Sequence, residues 1–111
     1  MDNSQASSTY KRLYQQYENF ISQASSTYKR LYQQYENFIA AIDNNKLLQN
    51  EDIKLWLKEI RAYIFDLYPV ENVLHRDIEN DIKNFGSETQ TKTIQLACAT
   101  LKKAHEDYTF Q

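Results

Sequence analysis

The sequence predicts an all-α fold, an antiparallel bundle of about four helices. Three observations carry this. The 111 residues include one Gly and one Pro, too few turn-formers for a sheet of hairpins. Apolar residues recur at helical spacing, and stop signals cut the chain into four such segments. The first segment is extended by a perfect repeat, which makes the first helix about twice as long as its partners.

Residues 4–21 read SQASSTYKRLYQQYENFI, and residues 22–39 read the same without a difference. Two identical copies do not make a solenoid, whose units diverge and come in threes or more. Perfect identity means that the duplication is recent or was made in a laboratory. Eighteen residues are about five whole helical turns, so the second copy returns to the angular position of the first. Ala6, Tyr10, Leu13, Tyr14, Tyr17, Phe20 and Ile21 fall within an arc of roughly 120°, and so do Ala24, Tyr28, Leu31, Tyr32, Tyr35, Phe38, Ile39 and Ile42. Lys11, Arg12, Gln15, Gln16, Glu18 and Asn19 lie outside it, with their copies. The stripe crosses the junction, where Ser25, Ser26 and Thr27 cost a helix only tenths of a kcal/mol each. A continuous helix over about 5–43 follows, about 57 Å long.

The other elements follow in order. Asp43, Asn44 and Asn45 read as a stop and loop. Asn50 is the expected N-cap of the second helix, with Glu51 and Asp52 at the positive end of its dipole. That helix runs to about Tyr68, with Ile53, Trp56, Leu57, Ile60, Tyr63, Ile64 and Leu67 facing the core, and Pro69 interrupts it. A third helix is expected over about 70–85 with Leu74, Ile78, Ile82 and Phe85 inward and Gly86 as its C′ residue. Ser87 to Gln90 matches a capping box. The last helix spans about 88–108, with Ile94, Ala97, Cys98, Leu101, Ala104 and Tyr108 on one face. The length predicts a single domain over 1–111.

The two copies compete for one core site with identical side chains, so only their flanks distinguish them. Placing residues 22–39 in the core keeps the link through Ala40, Ala41 and Ile42, whereas placing 4–21 there loops out the second copy at an entropic cost. The expected core is therefore Tyr28, Leu31, Tyr35, Phe38, Ile39, Ile53, Trp56, Leu57, Ile60, Ile64, Leu74, Ile78, Ile82 and Leu101. The expected exposed interaction stripe is Tyr10, Leu13, Tyr14, Tyr17, Phe20 and Ile21. A stripe of that kind marks an interaction surface; the competing outcome is fraying of copy 1. The layout resembles the tandem helix duplications engineered into model proteins to create two-register switches.

Other function classes find little support. One Cys excludes a disulfide framework or a Cys-rich zinc site, and Cys98 on an apolar helix face reads as an inert thiol. His75 lies between Glu71 and Glu79 at i−4 and i+4, which reads as a solvated ladder of weak pairs; the E-x-x-H spacing of di-iron bundles is absent. No Arg precedes either His at the Arg-x4–6-His spacing of helical ribonucleases. One Gly leaves no phosphate-binding loop. The net charge of −2 argues against nucleic acid, and the Tyr residues lie on a different face from Lys11, Arg12, Lys29 and Arg30. No apolar run reaches the roughly 20 residues of a membrane span, and the N-terminus lacks a signal-peptide core.

The expectation is a soluble, cytoplasmic, non-enzymatic protein without metal or cofactor. It would act through contacts with a protein partner or with itself, as a homodimer or by domain swap. Two alternatives stand beside it: a small helical domain into which the duplication was engineered to probe conformational switching, and a helical nucleic-acid-binding protein of a virus or mobile element.

Overall fold

In a computed structural model, residues 3–109 are described, with side chains described for residues 7–109. The expected stripe position Ala6 lies outside the described side chains. Four helices follow one another: α1 (Asn3–Asp43), α2 (Asn50–Leu67), α3 (Val73–Lys83) and α4 (Gln90–Thr109). No strand occurs among the described residues.

α1 is 41 residues long, about 62 Å at 1.5 Å per residue. It ends in a Schellman motif. Asn45 takes φ 56, its N–H donates to Ile42 O at 3.0 Å, and the Lys46 N–H donates to Ala41 O at 2.9 Å. Asn tolerates this left-handed position better than most residues, which is why the chain turns at Asn44 and Asn45.

Three contacts set the direction of each neighbour. Leu31 on α1 meets Trp56 on α2, Tyr28 meets His105 near the end of α4, and Phe20 meets Tyr108. α2 and α4 therefore both run antiparallel to α1. α3 packs antiparallel against α2, where Arg61 pairs with Glu79, and against α4, where Thr100 bonds Asp81. α2 and α4 also pack on each other. They form the middle of the bundle, with α1 on one side and α3 on the other.

The core is one cluster built from all four helices: Ala24, Leu31 and Phe38 of α1, Ile53, Trp56, Leu57, Ile60, Tyr63, Ile64 and Leu67 of α2, Leu74 and Ile78 of α3, and Ile94, Ala97, Cys98, Leu101 and Ala104 of α4. Tyr28, Tyr35, Ile39 and Ile82 are half-buried against it. Trp56 is its hub. The indole stands edge-on to Phe38 at 5.5 Å and donates Nε1–H to Leu31 O at 2.9 Å, so its one polar atom is satisfied at the α1–α2 contact.

Four terminus assignments from sequence are corrected. Gln49, with extended backbone and no side-chain bond, precedes α2; Asn50 lies inside the helix, and its Oδ1 accepts from Gln90 Nε2 at 2.7 Å. α3 starts at Val73 rather than Val70, because Asn72 caps it by accepting from the Leu74 and His75 N–H groups. Sequence periodicity ran through Pro69 and missed that cap. α3 ends at Lys83, with Asn84 as its C-cap. Gly86 has no positive φ and only open space where a Cβ would stand, so it is not a left-handed C′ residue. α4 starts at Gln90, not residue 88. Thr89 caps it by accepting from the Lys92 N–H at 3.1 Å, and Gln90 reaches Leu48 O and Asn50 instead of closing a box with Ser87.

The long axis measures 66 Å against 28 and 22 Å, and the radius of gyration is 17.8 Å. A compact chain of this length has a radius of gyration near 13 Å. The difference is the N-terminal part of α1, which runs past the ends of α2 and α4.

Candidate interaction surface

The repeat supplies an internal control, since the same 18 residues occur in two environments on one helix. In copy 2, Leu31 is 0% exposed and Phe38 is 4% exposed; in copy 1, their counterparts Leu13 and Phe20 are 55% and 40% exposed. Tyr28 stacks face to face on His105 at 3.9 Å, whereas its counterpart Tyr10 is 68% exposed and stacks only on Tyr14 one turn away. Arg30 reaches Glu59 of α2 at 2.9 Å; no such helix lies beside Arg12. Tyr14 and Tyr17 are also exposed, and Ile21 is half-buried. The exposed stripe ends where α1 enters the bundle. There Phe20 meets Tyr108 edge-on at 6.0 Å, above a notch of about 220 Å³ lined by Phe20, Ala24, Thr27, Tyr63, Asp66 and Leu67.

Copy 1 holds its helix for a physical reason. An isolated 18-residue helix is marginal in water because nucleation is costly. Copy 2, fixed by burial, provides the nucleus, and copy 1 only propagates it. The exposed phenols need no partner to stay in water, although the Glu18 carboxylate one turn along holds the Tyr14 hydroxyl above the ordinary tyrosine range.

Several polar groups inside the bundle pair with one another. Tyr63 Oη lies 2.7 Å from His105 Nδ1. Burial pushes the Tyr63 phenol up and holds His105 below the ordinary histidine value. A neutral imidazole with its proton on Nε2 accepts the Tyr63 hydroxyl at Nδ1, and protonation of the ring removes that acceptor. The unfolded chain, with His105 near 6.5, binds the proton more readily than the folded one. The contribution is therefore complete above about pH 6.5 and is lost as the pH falls through the folded value. Thermal melts across this range are expected to show a midpoint a few degrees lower on the acid side of it, and His105→Asn is expected to flatten that slope.

His75 is a correction. The solvated ladder with Glu71 and Glu79 does not form. Glu71 precedes α3, and Glu79 pairs with Arg61 across the α2–α3 contact. His75 itself is 3% exposed, stacked on Phe65 at 4.2 Å, with Nε2 2.7 Å from Tyr68 O. It closes the turn around Pro69. Two further buried polar residues escaped the sequence reading, Thr93 and Thr100. Thr100 donates to Asp81 at 2.9 Å, and burial of that carboxyl raises it above the usual carboxylate range. Both threonines lie at helical spacing from Ala97, Leu101 and Ala104, a signal that periodicity alone would have revealed.

Burial pushes the Cys98 thiol up to about 11, so at neutral pH it is not a nucleophile. No group of three or more His, Cys, Asp and Glu residues is arranged to hold a metal ion among the described residues. No helix among them is long and apolar enough to cross a membrane. The surface feature that stands out is the stripe of copy 1. Comparison with protein families, with curated proteins and with solved structures returns no match for this chain.

Proposed function

We propose that the protein is a non-enzymatic helical bundle that works through protein–protein contact, and that copy 1 is its docking surface. The observation that carries this is the contrast between Leu13, more than half exposed, and Leu31, fully enclosed, within the same local sequence. What encloses Leu31 is a helical face, so the stripe suits a helical partner. Large apolar residues in one contiguous row are characteristic of interaction sites, and Tyr and Phe are favoured anchors there. A photo-crosslinking residue placed at Tyr14 is expected to form adducts with a second polypeptide. The same residue at Lys29, on the outer face of copy 2, is expected to form none. Absence of any adduct at position 14 would overturn the docking reading.

A second reading draws on the perfect identity of the copies. Here the bundle is complete without copy 1, and the duplication is an engineered addition that offers the bundle a second, equivalent helix. Exchange of copy 1 for copy 2 then acts as a register switch, disfavoured by the loop it creates.

A further inference from the structure

We infer that the occupant of the copy 1 stripe is a second copy of this chain, paired antiparallel through the same stripe. This rests on the docking reading above and adds the identity and orientation of the partner.

The exposed face has the pattern of a helix-pairing seam. Tyr10, Leu13, Tyr17 and Phe20 follow the alternating three- and four-residue spacing of a coiled-coil seam, and Ala24, the next seam position, is already buried in the bundle. The spacing breaks between Ala24 and Tyr28, at the junction, because 18 is not a multiple of seven. Copy 1 thus holds a seam of its own. The flanking Tyr14 and Ile21 are apolar, and Gln16 and Gln23 on the other side are uncharged. Two such helices meet without like-charge repulsion.

The exposed area fits a reversible dimer. Tyr10, Leu13, Tyr14, Tyr17 and Phe20 are each between 40% and 68% exposed. With about 200 Å² per aromatic side chain, they offer about 550 Å² on each copy. Pairing that covers all of it buries about 1,100 Å² in total, the size of a weak, transient interface. That suits a dimer that dissociates on dilution.

The position of α2 and α4 sets the orientation. The face of α1 that carries the stripe is the face on which α2 and α4 pack, as Phe38 on Trp56 and Tyr28 on His105 show. Five whole turns separate the copies, so the stripe of copy 1 overhangs the ends of α2 and α4. A parallel partner would carry its own α2–α4 layer into the space of the first bundle. An antiparallel partner carries its bundle beyond the N-terminus of the first chain. Its helix also runs in the direction of α2 and α4, the two helices that α1 already accepts.

In an antiparallel seam the two kinds of core position face each other. Tyr10 then opposes Leu13 of the second copy, a register in which the partner helix ends level with Phe20, where α4 begins to cover α1 at Tyr108.

Light scattering of the full chain at about 100 µM is expected to give the dimer mass and to return the monomer on dilution. The double variant L13E/Y17E is expected to be monomeric at that concentration, with the melting midpoint of the wild type measured as a dilute monomer, since both residues lie outside the core. A monomeric wild type, or a dimer that survives L13E/Y17E, overturns the pairing. A monomeric wild type that still gives Tyr14 adducts with other proteins removes the second copy as occupant but leaves the docking reading; loss of all Tyr14 adducts removes both. Orientation is read from spin labels at Lys29→Cys, the buried Cys98 being inaccessible to label. The antiparallel pair places the labels about 40 Å apart or more along the helix axis, whereas a separation of about 20 Å contradicts it.

Discussion

Leu31→Ala is expected to destabilise the protein by about 2–5 kcal/mol, and Leu13→Ala to change stability by no more than about 0.5 kcal/mol. The two substitutions remove the same atoms from the same 18-residue sequence. Helix propensity, neighbouring residues and unfolded-state effects are matched, so the difference isolates burial. Leu31 is fully enclosed beneath the Trp56 indole, which bonds its carbonyl; its removal leaves a cavity in a dense core. Leu13 faces water in the monomer, so the comparison is made at low protein concentration by urea denaturation. Equal costs would mean that both copies are packed or exchange rapidly. A reversed order would place copy 1 against α2 and α4.

Trp56→Ala should be the most damaging single change, at about 3–5 kcal/mol. The side chain is almost fully enclosed, braces Phe38 and ties α2 to α1 through one hydrogen bond. Trp56→Phe separates these roles. It keeps most of the apolar volume and loses the indole N–H, so a smaller cost of about 1–2 kcal/mol is expected. Helicity monitored by circular dichroism during denaturation measures both. A loss with Trp56→Phe as large as with Trp56→Ala would mean that the bond to Leu31, not the volume, fixes α1.

The all-α architecture and its four helices were legible because each helix carries a simple periodic signal. Ile53, Trp56, Leu57, Ile60 and Ile64 repeat every three or four residues and are buried, as are Ile94, Leu101 and Ala104. The helix ends were less legible, because several polar residues compete for each cap. Asn72 caps α3 and Thr89 caps α4, while Asn50 and Ser87, equally good candidates by type, do other work. His75 was misread for a related reason. Its ladder required α3 to include Glu71, and the true start of α3 turns the ring beneath Phe65. The contrast between the copies is not written in the repeat itself, whose side chains are identical. It comes from the flank: the Schellman turn at Asn45 fixes α1 against α2 within a few residues of copy 2, and copy 1 is left beyond the bundle.

Copy 2 builds the fold, while copy 1 only presents a surface. Deleting residues 4–21 tests this most directly. The remaining chain keeps α1 in phase and every buried contact of the core. Its urea denaturation is expected to be cooperative, with a free energy of unfolding within about 1 kcal/mol of the full chain measured as a dilute monomer. A deletion product that fails to fold, or loses several kcal/mol, would contradict the account and make copy 1 an integral part of the bundle.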